Sequence, residues 1–286
     1  MTVGGSSQDA GFEVDVLIPT RNRAVELATT LAGLAGQDGV SFRVFVSDQS
    51  DGQASFDTPP ARSIGRVLER RGAPMRFERH LPLRGLAEHR GHLLSRARAP
   101  YALFLDDDVW LEPGTLHRLL TAIRELGCGF VGAAVIGLSY ADDVRPHQLA
   151  PFEGWNGPPE PELLTRDGPE FVRSLLHNAA NPLHLAERLG LGEGEWRAYK
   201  IAWVGGCVLY DRAAVVDCGG FDFWPLLPVE HAGEDVAVQW RVMARYGGAG
   251  ILPSGAIHLE SPTTVPDREV EVTEVVPEFQ RRRTPV

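Results

Sequence analysis

The sequence predicts an α/β fold, a mostly parallel sheet flanked by helices, and three observations carry that prediction. A nearly continuous apolar run, Val14 to Pro19, precedes a helix-spaced stretch, Ala24 to Ala35, and then a second apolar run, Phe42 to Val46. Strands without polar alternation are those buried on both faces by crossover helices. A third apolar run, Tyr101 to Leu105, stops abruptly in Asp106-Asp107-Asp108. Each run ends in polar residues, and open α/β sheets hold their ligands at the carboxyl ends of their strands.

Residues 1–13 are small and polar and read as an extended or disordered start. Thr20 to Arg23 turns the chain into its first helix, where Val25, Leu27, Ala28, Leu31 and Leu34 recur at helical spacing. The second strand stops at Ser47 to Gly52. Ile64 to Arg71 has helical spacing, Met75 to Glu78 suits a short strand, and Gly85 to Ala97 suits a helix carrying His89, Arg90, His92 and Arg96. After the acidic triplet, Pro113 fits a first helical turn, and Leu116, Leu119, Leu120 and Ile123 face a core. Phe130 to Ile136 is again strand-like.

The pattern loosens between Ser139 and Lys200, where prolines and glycines surround Trp155 and two short helices, Phe171 to Leu176 and Leu183 to Leu189. An excursion of this length in a compact domain is more often functional than idle. Trp203 to Tyr210 restores a strand, Arg212 to Val216 a short helix, and Glu234 to Tyr246 a full helix ending at Gly247-Gly248. Ile251-Leu252 is a short strand, and His258 follows. From Leu259 the chain reads as a polar tail, packed if at all through Val270 to Val276, ending in Arg281-Arg282-Arg283. One domain over residues 14–258 follows, with 139–200 as an insertion and 259–286 as the tail.

Composition bounds the function. A length of 286 residues suits one large α/β domain. A net charge of -10 argues against a nucleic-acid groove. No apolar run of about 18 residues is present, so no membrane span is expected, and the polar start has no signal-peptide pattern. Cys128, Cys207 and Cys218 lack metal-type spacing and read as reduced thiols in a cytoplasmic protein.

Three adjacent carboxylates at a strand end repel one another. A divalent cation offsets that repulsion and takes oxygen ligands; the plain alternative is an acidic turn capping the next helix. Four polar clusters close apolar runs in this way: Thr20 to Arg23, Asp48 to Asp51, Asp106 to Asp108, and Glu234-Asp235 with His258. Singly, each has an ordinary structural use. Asn22 can cap a helix, Asp48 close an Asx-turn, Glu234-Asp235 start a helix, and His258 sit satisfied in a core. Recurrence at successive strand ends favours one shared site.

With these residues in place the chain resembles a family 2 glycosyltransferase of the GT-A, Rossmann-like fold. The resemblance rests on Val16 to Arg23, Val46 to Asp51, Phe104 to Asp108, Gly219-Gly220-Phe221-Asp222, and Gly233-Glu234-Asp235 with Arg241 and His258. It spans Val14 to His258. An Asp-x-Asp alone is weak; the ordered set is specific.

The resemblance implies roles. Pro19, Thr20, Arg23 and Asp48 would hold the nucleotide, with Arg90 and Asp106 beside them. Asp108 and His258 would ligate Mn²⁺ or Mg²⁺, with Asp106 near the ion or the ribose; hard oxygen and imidazole ligands suit both metals. Asp235 would be the general base toward the acceptor, with Glu234 in reserve, and displacement would invert the anomeric centre. Trp155, Trp203 and Trp224 are candidate acceptor platforms, because aromatic faces stack on sugars; core packing is their plain alternative. Arg84 reads as a solvated residue.

This sequence departs from the family pattern at Ser47, where relatives often have Asp, and at Gln49, which replaces a common Gly. Gln239-Trp240-Arg241 is not the Gln-x-x-Arg-Trp signature of processive synthases, so single transfer is expected. The implied activity is transfer of one sugar from a nucleotide donor, UDP-linked, to a small-molecule or glycan hydroxyl, with a homodimer left open. Two rivals stand beside it. A nucleotidyltransferase would want a glycine-rich phosphate loop where Thr20 to Arg23 has no glycine, and an inactive nucleotide-sugar-binding subunit would not need Glu234, Asp235 and His258.

Overall fold

The computed structural model describes residues 11–192, 194–263 and 268–280. Its strands are β1 (Val14–Thr20), β2 (Phe42–Asp48), β3 (Met75–Arg79), β4 (Tyr101–Leu105), β5 (Val109–Leu111), β6 (Phe130–Gly132), β7 (Ile136–Gly137), β8 (Arg197–Tyr199), β9 (Cys207–Asp211), β10 (Gly248–Leu252) and β11 (Ala256–His258). The helices are α1 (Ala24–Ala35), α2 (Pro59–Arg70), α3 (Leu86–Arg96), α4 (Thr115–Leu126), α5 (Pro146–Leu149), α6 (Asn181–Leu189), α7 (Arg212–Asp217), α8 (Glu234–Tyr246), α9 (Val272–Val275) and α10 (Pro277–Gln280).

The main sheet has the order β3-β2-β1-β4-β9-β6-β10-β8. All its strands run one way except β9 and β8. Alternation along β1 explains its two-sided burial: Val14, Val16 and Ile18 pack with α1, α2 and α4, while Leu17 points to the face covered by α3 and α8. Asp15 is fully buried on that strand. Its Oδ1 lies 2.5 Å from Arg43 Nε, and Oδ2 accepts the amides of Arg98 and Ala99 at 2.5 and 2.8 Å. A buried carboxylate needs such partners, and here they tie together the starts of β1, β2 and β4.

A small second sheet, β5-β11-β7, matters more for the site. His258 pairs antiparallel with Val109, and the Leu259 amide donates to the Asp108 carbonyl at 2.9 Å. The loop after β4 and the end of β11 are thereby held side by side.

Several expectations shift. The stretch Phe130 to Ile136 divides between the two sheets, and the strand expected at Trp203 begins only at Cys207, after Gly205-Gly206. α2 starts at Pro59, five residues before the expected Ile64, because two prolines suit a first helical turn. Gly248 and Gly250, the first read as a helix stop, lie in β10; a methyl on Gly250 would come within 2.3 Å of the Tyr199 ring, so only glycine allows β8 and β10 to pair there. Val25 is 77% exposed rather than packed.

The excursion is joined to the sheet through β8, and its 169–177 stretch is a 3-10 helix. After Leu259 the packed span is longer than Val270 to Val276. Val272, Val276 and Phe279 are buried in the α8 core, and the Phe279 ring lies 6.1 Å from Trp240. Residues 1–10 and Arg281-Arg282-Arg283, read as extended or tail segments, lie outside the described residues. Among the described residues, no helix is long and apolar enough to cross a membrane.

Candidate active site

A cavity of about 830 Å³ opens at the carboxyl ends of β1 and β4. Residues 19–23 and 106–108 form one side, and Gln49, His89 and Arg90 continue it. Residues 229–231, His258, 261–263 and Arg268 close the other.

The acidic triplet is arranged by what each carboxylate meets. Asp106 turns to Arg90, whose Nη2 donates to its Oδ1 at 2.7 Å. Asp107 is buried; it accepts from Thr20 Oγ1 at 2.7 Å and from Arg23 Nη1 at 3.2 Å. Burial outweighs those bonds and pushes its pKa up to about 7. Asp108 accepts from the same Arg23 nitrogen and lies 3.4 Å from His258 Nε2. Burial works to raise its pKa, but the bonds and charges of His258 and Arg23 win and hold it low. The bond to Asp108 raises that of His258. His258 Nδ1 accepts the Glu260 amide at 3.0 Å, which leaves Nε2 facing the acid.

Asp108 and His258 therefore fit a cation in chemistry and in convergence. About 3 Å separates neighbouring ligand atoms around a six-coordinate ion of this size. Among the described residues no group of three or more His, Cys, Asp or Glu side chains is placed to hold a metal ion. Asp106, expected near the ion or the ribose, lines the cavity with its Oδ1 on Arg90.

Glu234 and Asp235 open α8 after Gly233, whose φ of +83° is a backbone conformation that side chains disfavour. Glu234 is buried with its Oε1 3.1 Å from Arg90 Nε. Arg90 links this pair to the cavity: burial opposes its charge, but Asp106, Glu234 and Asp235 raise its pKa. Among the described residues Asp235 has no such cation in contact; its Oδ1 accepts the Val236 amide at 2.9 Å. Burial, and then the charge of Glu234, push its pKa up to about 7; burial likewise raises Glu234.

Among the residues expected to hold a nucleotide, Pro19, Thr20, Arg23, Arg90 and Asp106 line the cavity. Asp48 does not: it is fully buried, and its two oxygens accept the amides of Ser50 and Ser55 at 2.6 and 2.5 Å. Asn22, at φ 57°, exchanges bonds with Asp51 rather than capping α1. Trp203 stands by Asp235 across bare Gly205, where a methyl would lie 3.1 Å from the indole and 3.9 Å from Asp235 Oδ2. Trp224 lies under the Arg84 guanidinium, with Arg84 itself exposed. Trp155 packs beside Lys200 near β8, and none of the three tryptophans lines the cavity.

Several cavity residues were not anticipated, among them Asp107, His231, His89 and the 261–263 stretch read as tail. Asp107 was passed over between its neighbours, although an apolar strand followed by an acid is itself a burial signal. His231, which accepts the Ala87 amide at 3.1 Å and donates to the Pro228 carbonyl at 2.8 Å, sits in a polar loop with no local signal.

Comparison with known proteins follows this geometry. No curated protein matches the sequence. Among solved structures, the fold is similar to that of mannosyltransferase PcManGT from Pyrobaculum calidifontis in complex with GDP-Man and Mn²⁺. The TM-score is 0.54 at 15% identity, over 89% of this chain and 59% of that one. It is also similar to S. aureus TarS 1-349 in complex with UDP-GlcNAc, with a TM-score of 0.53 at 16% identity over 88% and 60%. The chain thus spans about three fifths of either structure's length, and at such identities the likeness is one of fold, in line with the GT-A expectation. Residues 15–179, more than half of the sequence, match the profile described as glycosyl transferase family 2. That match takes in β1, the turn after it, the acidic triplet and the cavity side they form, and on it the chain belongs to glycosyl transferase family 2.

Proposed function

We propose that this protein is a metal-dependent, inverting glycosyltransferase. It moves one sugar from a nucleoside-diphosphate donor, UDP-linked, to a hydroxyl of a small molecule or glycan. One observation carries the reading: Asp108 and His258, remote in sequence, converge to 3.4 Å on the wall of a cavity at the sheet's carboxyl edge. The two similar structures, solved with GDP-Man and Mn²⁺ and with UDP-GlcNAc, support a nucleotide-sugar donor.

Each residue has a task that its surroundings suit. Pro19 and Thr20 shape the nucleotide side, and Asp48 supports it by pinning the 50–55 loop. Arg23, its Nη1 on Asp107 and Asp108 and its Nη2 on the Pro262 carbonyl, holds the acidic turn and adds positive charge on the phosphate side. Asp108 and His258 would hold Mn²⁺ or Mg²⁺, whose chemistry there is to neutralise charge on a departing diphosphate. Asp235 takes the proton of the attacking hydroxyl. A pKa near 7 makes it a competent base at neutral pH, whereas Glu234 is held by Arg90. Trp203 beside it supplies an apolar face for the acceptor. In-line attack opposite the leaving diphosphate inverts the sugar carbon. The free thiols of Cys128, Cys207 and Cys218 support a reducing, cytoplasmic setting.

The test is release of nucleoside diphosphate from a panel of UDP- and GDP-sugars with Mn²⁺, with and without candidate acceptors. Mn²⁺-dependent release is expected. Asp235→Asn should abolish it while nucleotide binding persists. Release of pyrophosphate, or no turnover by any donor, would reject the reading.

A further inference from the structure

We infer that Glu271, in the last described stretch, is a positioning residue for Asp235, and that Arg166 of the 139–200 excursion is the cation that keeps it in place. The inference rests on Asp235 acting as the base in the reading above and extends it to two segments outside the cavity.

Glu271 runs alongside Ala232 in a short parallel bridge. The Ala232 amide donates to the Val270 carbonyl and the Val272 amide to the Ala232 carbonyl, each at 2.9 Å. Val272, Val276 and Phe279 are buried in the same core as α8, which anchors the bridge. Glu271 is thereby set beside Gly233, its Oε1 1.6 Å from the point a Cβ there would occupy. Glu234 and Asp235 follow directly. From the excursion, Arg166 Nη2 lies 2.5 Å from Glu271 Oε1, and Arg166 Nε donates to Thr273 Oγ1 at 2.7 Å. The same guanidinium stands 5.6 Å from the centre of the Phe171 ring, which meets Trp240 of α8 edge-on at 6.2 Å. One arginine thus clasps the excursion and the tail against the helix that carries the base.

A third acid at this place needs a reason. Asp235 already faces Glu234 on its own helix, Asp106 after β4 and Tyr210 on β9, with Arg90 on α3 as a cation. Glu271 faces that acidic pair, Glu274 on α9, His231 before α8, and Arg166. The dipole of α8 favours an acid at its start, but it does not account for the arginine. A hold at two points, on the carboxylate and on a hydroxyl two residues further, fixes the position of the acid as well as offsetting its charge. Neighbouring carboxylates in a buried site raise one another's hold on protons. A base displaced by about 1 Å can lose about a hundredfold in rate.

The test compares wild type with Glu271→Gln, Arg166→Met and Arg166→Lys. Nucleoside diphosphate release is followed across pH with Mn²⁺ and the UDP- and GDP-sugars of the panel above, and UDP binding with Mn²⁺ by titration calorimetry. Glu271→Gln, nearly the same shape without the charge, should lower kcat by about tenfold or more. Donor KM and UDP affinity should stay within about threefold of wild type, because only the acceptor side is disturbed. The rise of kcat/KM should move to lower pH by about half a unit or more, since one negative charge beside Asp235 is gone. Arg166→Met should lower kcat to a similar extent, and Arg166→Lys, which keeps a cation, should recover part of it. If Glu271→Gln does not fold, the two arginine variants carry the test through kcat. Unchanged kcat, a fall in kcat matched by an equal loss of UDP affinity, or a pH rise that stays put in Glu271→Gln overturns the proposal while wild-type turnover stands. No turnover of any donor by wild type, or full turnover by Asp235→Asn, would instead reject the reading on which the inference rests.

Discussion

Asp108 Oδ2 lies 3.4 Å from His258 Nε2. The main sheet does not bring them together; the three-residue ladder between β5 and β11 does, by setting His258 opposite Val109 and bonding the Leu259 amide to the Asp108 carbonyl. An acid at a buried strand's tip and an imidazole from the far end of the domain thus share one point on the cavity wall.

If that point is a cation site, His258→Ala should weaken Mn²⁺ binding in the presence of UDP by at least about tenfold, the low end of what loss even of an outer-sphere partner costs. Electron paramagnetic resonance of free Mn²⁺ reads this directly. Equal affinity in the variant would remove His258 from the site.

The pH dependence should follow Asp235. Only its ionised form is a base, so kcat/KM should climb as pH rises through about 7. Asp235→Asn should lower kcat by about 10²–10⁴. Stability runs the other way. The folded-state pKa is raised, so the stability that the protonated group contributes is present below the ordinary carboxylate range and lost as pH rises through about 7. Asp235→Asn should therefore melt above wild type at about pH 8, with the gap closing toward pH 4. A pH-independent difference would contradict burial of that charge.

Arg23 is the cation that Asp107 and Asp108 share. Removing it as Arg23→Met strands a buried carboxylate, a change that costs about 3–5 kcal/mol where pairs are deeply buried. Adding Asp107→Asn should return part of that loss, and urea midpoints of the four proteins measure the coupling. Strict additivity would mean that the Arg23–Asp107 contact does not hold the turn.

The chain's last described stretch should matter for folding. Phe279 is 4% exposed against Trp240 and the α8 core, so Phe279→Ala should cost about 3–5 kcal/mol. A thermal melt identical to wild type would show that this packing contributes nothing.

Much of this was legible where one physical signal was strong. β1, α1, β4 and α8 are long or continuously apolar, and their periodicity and end residues place them closely. The three-residue β5 and β11 have no periodicity to read, and they are the elements that position His258. Asp48, which the resemblance implies would hold the nucleotide, accepts backbone amides of its own loop with both oxygens, contacts that no spacing rule reveals. Arg90, expected among the nucleotide-binding residues, lines the cavity and also pairs with Asp106 and Glu234, a link no spacing rule shows, because α3 and α8 lie against the same sheet face. Of the last stretch Val270 to Val276 was legible, whereas Phe279 was hidden by the polar, proline-broken sequence around it.

The most direct measurement is calorimetric titration of Mn²⁺ into the protein holding UDP or GDP, for wild type and Asp108→Asn. One site per chain in wild type, lost in Asp108→Asn with the fold unchanged by circular dichroism, is the predicted result. Mn²⁺ binding of equal affinity in both proteins would contradict it.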